Sequence, residues 1–367
     1  MPSASKHATV YDVASLAGVS IATVSRFFRD PQAVRPATRE IVAAAVRTLG
    51  YVPSASARGL AANRTGVLGL CVPGVDGLDD PDLAPEVAGN VTIRRDDGPG
   101  GDPGGRQLYV DQVMRGVEME AWRRGFAVMT SVIRGPGKDA AVSDIAGRVD
   151  ALAVLSRTAS DDVLRHISQR VPVVILAGPL ADNTFDHVGV DNEAGVRAVT
   201  GHLLAGHVYR DLEFVGGPTG SPDSDARFQG FRAAMSAAGR PVPSDVKWHT
   251  DFTTAGGREV GRQMLAAGAL PRALVCANDQ SAVGLLEVLT EAGVDVPGEV
   301  ALTGFDGIEA GRLVRPRITT VAQPMALMGR SAVDVLVRRL ADRRAARMAR
   351  LLPVEVLLRE SCGCSRV

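Results

Sequence analysis

No excess of either charge marks this chain: 41 Lys and Arg stand against 41 Asp and Glu over 367 residues. Taken whole, that balance speaks against a nucleic-acid binder. No run approaches the roughly 18 apolar residues that a bilayer span needs, so no membrane partner is expected. Met1 to His7 lack the apolar stretch of a secretory signal, and a cytoplasmic location is expected. Cysteine is scarce. Cys71 and Cys276 sit in apolar runs and read as reduced core residues, while Cys362 and Cys364 form a lone C-x-C near the end. That spacing suits metal binding or redox sensing but is a weak pattern alone. It is read as structural or incidental, with no metal assigned. The six His are scattered, and neither a Ser-His-Asp order, a metal-ligand spacing nor a Walker motif stands out. Neither an enzyme nor a cofactor is expected.

What is present is unevenly placed. The chain is 46% hydrophobic, with 40 Gly and 21 Pro, and its length suits two or three domains. From Met1 to Thr65, eight Lys or Arg face three acids, a surplus of five positive charges. The rest carries the matching negative surplus. A basic head on an acidic body has a different meaning from a neutral protein.

In the head, Val13, Leu16 and Ala17 recur at helical spacing behind Thr9 and Asp12, which form an approximate capping box. Gly18 suits a tight turn. Ser20 can cap a second helix, Ile21 to Phe28, that buries Val24 and Phe28. A third runs from Pro36 to Leu49 with Ile41, Val42, Ala45, Val46 and Leu49 inward, and Gly50 as its stop. Helix, short turn and helix with a third in support is a helix-turn-helix arrangement. Ile21, Ala22, Ser25 and Arg26 fall on the outer face. Arg26 has the reach and forked donors for a guanine edge, and short hydroxyl residues suit phosphates. Periodicity alone also admits a plain helical bundle with a solvated Arg.

From Gly66 on, apolar β-type runs alternate with helical patterns. Strands are predicted at residues 67–72, 127–132, 151–155, 171–176, 187–190, 212–215, 274–277 and 300–303. The intervening helices are predicted at residues 111–124, 161–169, 192–204, 225–238, 254–266 and 281–291. Continuously apolar strands imply parallel sheets covered on both faces.

The text TVYDVASLAGVSIATVSRFFRD, then TREIV, then GYVPSASARGLAANRT resembles the DNA-binding head of the LacI/GalR family of bacterial transcription regulators. VGVDNEAG, DARFQGFRAAM, CANDQSAVG, GEVALTGFDG, RPRITTVAQP and LPVEVLLRES resemble that family's effector core. The resemblance implies an N-terminal all-α helix-turn-helix head with a hinge helix. An α/β two-lobed, periplasmic-binding-protein-like core of two doubly wound parallel sheets follows. The expected division is a head at 1–50, a hinge at 51–65, a first lobe at 66–190 plus 320–348, a second at 191–319 plus 349–361, and a tail at 362–367. The helix predicted at 327–340 should pack on the first lobe. The tail has no heptads for a coiled coil.

By the same resemblance, Ile21 and Ala22 match the base-reading pair, with Arg26 a turn later. Being apolar and short, that pair can pack on a thymine methyl group but leaves hydrogen-bonded reading to Arg26. Thr9, Ser20, Thr23, Ser25 and Tyr51 belong to the DNA-binding set, the last four as phosphate contacts. In the hinge, Ser54, Ala57, Arg58 and Leu60 are assigned to DNA. Leu60 is the wedge that enters the minor groove once hinges from two chains fold together on it. The implied partners are pseudo-palindromic double-stranded operator DNA, a second copy of the chain in a homodimer, and a small carbohydrate effector. Tyr109, Arg227, Phe252, Asn278 and Asp306 are its predicted contacts, although Asn278 and Asp306 also suit helix caps, Phe252 core and Arg227 a surface ion pair. Asp191 and Asp279 are read as caps. A sugar-binding module with no DNA role and an α/β enzyme are the competing readings. Residues 73–107 depart from the family: eight acids and three Arg among Gly and Pro read as a mobile insertion, either a lid or a disordered loop.

Overall fold

The structure, a computed structural model, describes residues 8–51, 64–74, 108–179 and 184–364. The chain divides into two compact units, Met1–Gly66 and Val67–Val367. The hinge residues Ser54, Ala57, Arg58 and Leu60, and most of the 73–107 insertion, lie outside the described residues.

In the first unit, α1 (Val10–Ala17), α2 (Ile21–Arg29) and α3 (Pro36–Leu49) enclose Val13, Ala14, Ala17, Val24, Val42 and Ala45. Each boundary has a chemical cause. Thr9 and Asp12 close a reciprocal capping box, with Thr9 N donating to Asp12 Oδ2 at 2.7 Å. Gly18 ends α1 at φ 64, a left-handed turn that a side chain would strain. Ser20 Oγ accepts from Thr23 N at 3.1 Å and starts α2. Ile41, expected inward, is 51% exposed, and Leu16, which shares the helical spacing of Val13 and Ala17, is 53% exposed. Three short helices enclose a narrow stripe whose centre is Val13, Val24 and Val42, all without exposure, with Ala14, Ala17 and Ala45 beside them.

The second unit holds two six-stranded sheets. One has the order β11-β5-β4-β3-β1-β2 and is parallel throughout: β1 (Val67–Pro73), β2 (Ala127–Ile133), β3 (Ala151–Leu155), β4 (Val173–Leu176), β5 (Asp186–Val190) and β11 (Ala349–Leu352). The other has the order β12-β10-β9-β8-β6-β7: β6 (Leu212–Gly216), β7 (Trp248–His249), β8 (Ala273–Cys276), β9 (Ala301–Asp306), β10 (Thr319–Ala322) and β12 (Glu355–Leu357). Only β12 runs antiparallel to its neighbour among these pairs.

Strand alternation divides the core. In β1, Leu68, Leu70 and Val72 face one apolar cluster and Cys71 the opposite one; in β3, Ala151, Ala153 and Leu155 oppose Leu152 and Val154. Helices cover both sides, which is why these strands are apolar at every position. Among them, Leu108–Arg123 and Met325–Ala341 approach closely enough that a Cβ on Gly116 would meet Ala326 O at 2.0 Å, and one on Gly329 would meet Val113 O at 2.1 Å. The second of these helices packs on the first lobe and buries Val333 and Leu336.

Among the described residues, the chain crosses between lobes three times: after Val190, between Ala322 and Met325, and between Leu352 and Glu355. The last two differ from the expected divisions at 320 and 349. Thr319–Ala322 pairs with β9 in the second lobe, and Ala349–Leu352 pairs with β5 in the first. Pro324 and Pro353 mark the true crossings, because a proline cannot donate to a strand ladder.

Candidate functional site

The head presents a continuous outer face. Ser20, Ile21, Ala22, Ser25 and Arg26 are exposed and Thr23 is half-buried, while Val24 between them has no exposure. Val24 anchors the helix and turns its neighbours outward. Ser20 and Thr23 share a 2.9 Å hydroxyl contact beside a shallow depression that also includes Arg26, Arg35 and Thr38. Exposed hydroxyls, backbone N–H groups at the start of α2 and two guanidinium groups make this an anion-accepting edge. Tyr51 is half-buried and packs on Phe28 with ring centroids 5.8 Å apart. Thr9 is exposed, but its hydroxyl is committed to Asp12 at 2.7 Å.

In the core, a cleft of about 500 Å³ opens between the lobes. Its walls come from the carboxyl ends of strands in both sheets, where an open parallel α/β fold leaves room for a ligand. Tyr109, Arg227, Phe252, Asn278 and Asp306 all line it. The structure therefore brings these five predicted residues together.

Their partners refine the roles. Arg227, on the helix Pro222–Ala237, is buried: its Nε donates to Asn192 Oδ1 at 2.8 Å and its Nη1 to Ala277 O at 2.7 Å. Its Cζ lies 3.7 Å from the Phe305 ring centroid, and Asp306 Oδ1 is 3.8 Å from Nη1. Hydrogen bonds and the ring fix the guanidinium plane before any ligand arrives. The surface-pair alternative for Arg227 does not hold.

Asn278 caps the helix Asp279–Glu291, accepting from Ser281 N at 3.1 Å, and donates to Phe252 O at 2.8 Å. It therefore both lines the cleft and positions Phe252. Phe252 is held at φ 68, with its ring where a Cβ on Gly217 would stand. Asp306, at φ 113, accepts from Gln323 Nε2 at 2.6 Å. Burial pushes its carboxyl up to about 6, against the pull of Arg227 and Gln323. Tyr109 points its hydroxyl towards Met328 Sδ at 3.8 Å, and burial followed by Asp223 and Asp306 raises its pKa.

The two acids expected to be caps separate. Asp191 Oδ1 accepts from Ala194 N at 2.9 Å and is a cap. Asp279 is not: Asn278 caps that helix, and Asp279 accepts instead from Thr320 Oγ1, Gly307 N and Ile308 N at 2.6, 2.8 and 2.9 Å. Burial, with Asp306 nearby, pushes its carboxyl up to about 8. It braces β9 against β10 under the cleft.

Sequence reading missed Asp223, Asn192, Gln323, Gln280 and Ser156. Asp223 Oδ1 accepts from Asn192 Nδ2 at 2.9 Å, tying it to Arg227 through a shared amide. The available signals were position and spacing. Asp223 lies one helical turn before Arg227, Asn192 and Gln323 stand at lobe crossings, and Ser156 follows β3 directly.

A model of the lacI family of bacterial regulatory proteins matches residues 9–54, and one of the periplasmic binding protein-like domain matches residues 200–362. The ribose operon repressor of Escherichia coli (strain K12) is 30% identical over 342 residues, covering 91% of this chain and 94% of that protein. Among solved structures, the lac repressor dimer bound to operator and the anti-inducer ONPF superposes with a TM-score of 0.79. The two are 26% identical, with 97% of this chain and 99% of that one covered. A complex of the transcriptional regulator CelR with cellobiose superposes with a TM-score of 0.67 at 29% identity, covering 96% and 99%.

Proposed function

This chain belongs to the lacI family of bacterial regulatory proteins, and on that premise we propose that it represses transcription as a cytoplasmic homodimer released or recruited by a neutral sugar. The observation that carries the ligand class is the charge pattern of the cleft. Asp223, Asp251 and Asp306 line it against two guanidinium groups, Arg157 and the fixed, internally neutralised Arg227, and Phe252 and Tyr109 supply apolar ring surface. Carboxylates accept from hydroxyls and repel anions. An aromatic face suits the apolar side of a pyranose or furanose ring. A neutral polyol fits this set; a phosphate ester would meet three carboxylates with Arg157 as the one guanidinium not already held by Asn192, Ala277 and Asp306.

The head supplies the DNA half. Two copies, each with Arg26 and the hydroxyls around Ser20, read two half-sites one helical turn apart, with Leu60 of each hinge at the centre. One such module makes too few contacts for specificity, which favours the dimer. Ligand contacts to both lobes bias their relative placement and thereby the population competent for DNA.

A thermal-shift screen of the full chain against neutral mono- and disaccharides, sugar phosphates and nucleosides tests the ligand class. A ligand of the folded state at about 100 times its Kd adds about 2.7 kcal/mol of stability. A neutral sugar that raises Tm is the expected result. A shift confined to the phosphate esters would overturn the reading.

A further inference from the structure

Far from the cleft, the lone C-x-C acquires two partners that its sequence spacing did not reveal. His202 and His207 lie at the end of the helix Asn192–Gly206, and Cys362 and Cys364 fold back against them from the chain's last described turn. One donor atom from each of the four lies within 4.8 Å of every other. The two imidazole Nε2 atoms are 3.1 Å apart, and Cys364 Sγ is 3.4 Å from each. Cys362 Sγ is 3.9 Å from His202 Nε2.

These separations have a simple chemical match. Zinc bonds of about 2.0–2.1 Å to nitrogen and about 2.3 Å to sulfur give tetrahedron edges of about 3.3–3.8 Å. The surroundings also orient the donors. Tyr209 stacks on His207 with centroids 5.2 Å apart at 17°, and its hydroxyl donates to Cys362 O at 3.2 Å. Gly363, at φ 99, turns the chain so that both thiols face one point, and a Cβ there would stand 2.7 Å from the Tyr209 hydroxyl. Cys362 is fully buried, which shelters one thiol from solvent.

We propose that His202, His207, Cys362 and Cys364 form a closed Cys₂His₂ site for a structural zinc ion. Four protein ligands leave no open position for water or substrate, so the site stabilises rather than catalyses. On binding, the two thiols release their protons to solvent, and two thiolates with two neutral imidazoles balance the dication. The ion cross-links residues about 155 apart in sequence (from His207 to Cys362) and closes the end of the chain onto the second lobe. It also fixes the far end of the helix that begins with Asn192, the residue that holds Arg227 about 15 Å away along the helix axis. The site rests on its own geometry and is independent of the effector assignment.

The test uses the full chain without a polyhistidine tag, purified from zinc-supplemented culture and dialysed. Elemental analysis should find about one zinc per chain, and chelation should lower Tm by several degrees. Cobalt added to the stripped protein should give thiolate charge-transfer bands and the intense visible bands of tetrahedral coordination. Cys364→Ser should weaken those charge-transfer bands, leaving only the Cys362 contribution, and cut zinc to a small fraction, and His207→Gln gives a second reading if that variant folds poorly. Zinc at background in the wild-type chain, with octahedral cobalt spectra, would overturn the proposal. So would full zinc retention in both variants.

Discussion

Asp223 reaches across the cleft and accepts the backbone amide of Gly178, 3.0 Å from one carboxylate oxygen and 3.1 Å from the other. Gly178 follows β4 of the first lobe, and Asp223 opens the helix Pro222–Ala237 of the second. Through Asn192 the same carboxylate is coupled to Arg227. A ligand that engages Arg227 thus touches the network that joins the lobes.

Replacing Asp223 with Ala removes an inter-lobe hydrogen bond to a charged group, a loss of about 1.5–3 kcal/mol. Effector affinity should fall by about 10-fold or more, and the ligand's effect on DNA binding should shrink, while ligand-free operator binding persists. Calorimetry beside an operator titration measures both. Wild-type ligand affinity in this variant would remove Asp223 from the account.

Asp306 gives the cleft a pH dependence. Its folded pKa of about 6 lies above the ordinary carboxylate value because burial disfavours the charge. Sugar hydroxyls donate to the ionised form, so affinity should rise as pH increases through about 6 and level off above it. The ligand-free fold should show the opposite slope. A raised carboxyl pKa adds stability that is complete below the unfolded value and is lost as pH rises through about 6 for Asp306 and about 8 for Asp279. Asp306→Asn should flatten the affinity profile between about pH 5 and 7.5.

The first lobe depends on a buried ion pair. Arg339 Nε and Nη2 donate to the two oxygens of Asp186 at 2.8 and 2.7 Å, and Met348 N donates to Asp186 Oδ1 at 2.9 Å. Both side chains are nearly inaccessible. Arg339→Met removes the bidentate partner of a buried carboxylate, leaving only Met348 N and Arg347 Nη1 at 3.9 Å, and should cost up to about 3–5 kcal/mol in urea unfolding. Arg339→Met combined with Asp186→Leu should recover much of that loss. Equal destabilisation in the single and double variants would contradict this.

On the DNA side, Arg26→Ala should cost about 1–3 kcal/mol and relax selectivity at one base position per half-site. Leu60→Ala should weaken specific binding far more than non-specific binding, since only a specific site gains the wedge. Titrations against operator and scrambled duplexes separate the two effects; equal losses for Leu60→Ala would remove the wedge.

Local chemistry made much of this legible in the sequence. Thr9, Asp12, Gly18 and Ser20 mark the head's turns by capping and backbone preference, and continuous apolar runs identify the parallel strands. The cleft residues Arg227 and Asp306 stand at strand ends or one helix turn on. What sequence could not show was pairing. Thr319–Ala322 and Ala349–Leu352 are short, and only their sheet partners decide which lobe they join. Cys362 and Cys364 looked incidental because His202 and His207 reach them only through the tertiary fold. Leu16 and Ile41 fit the helical period and still face outward, since periodicity alone does not fix how wide a stripe three short helices cover.

The most direct test of the central claim is the affinity of the chain for a duplex selected from a random library, measured with and without the sugar that raises its Tm. The account predicts a pseudo-palindromic duplex whose affinity changes by about 5- to 150-fold with the sugar, the usual size of allosteric coupling. Identical affinity with and without saturating sugar would contradict it.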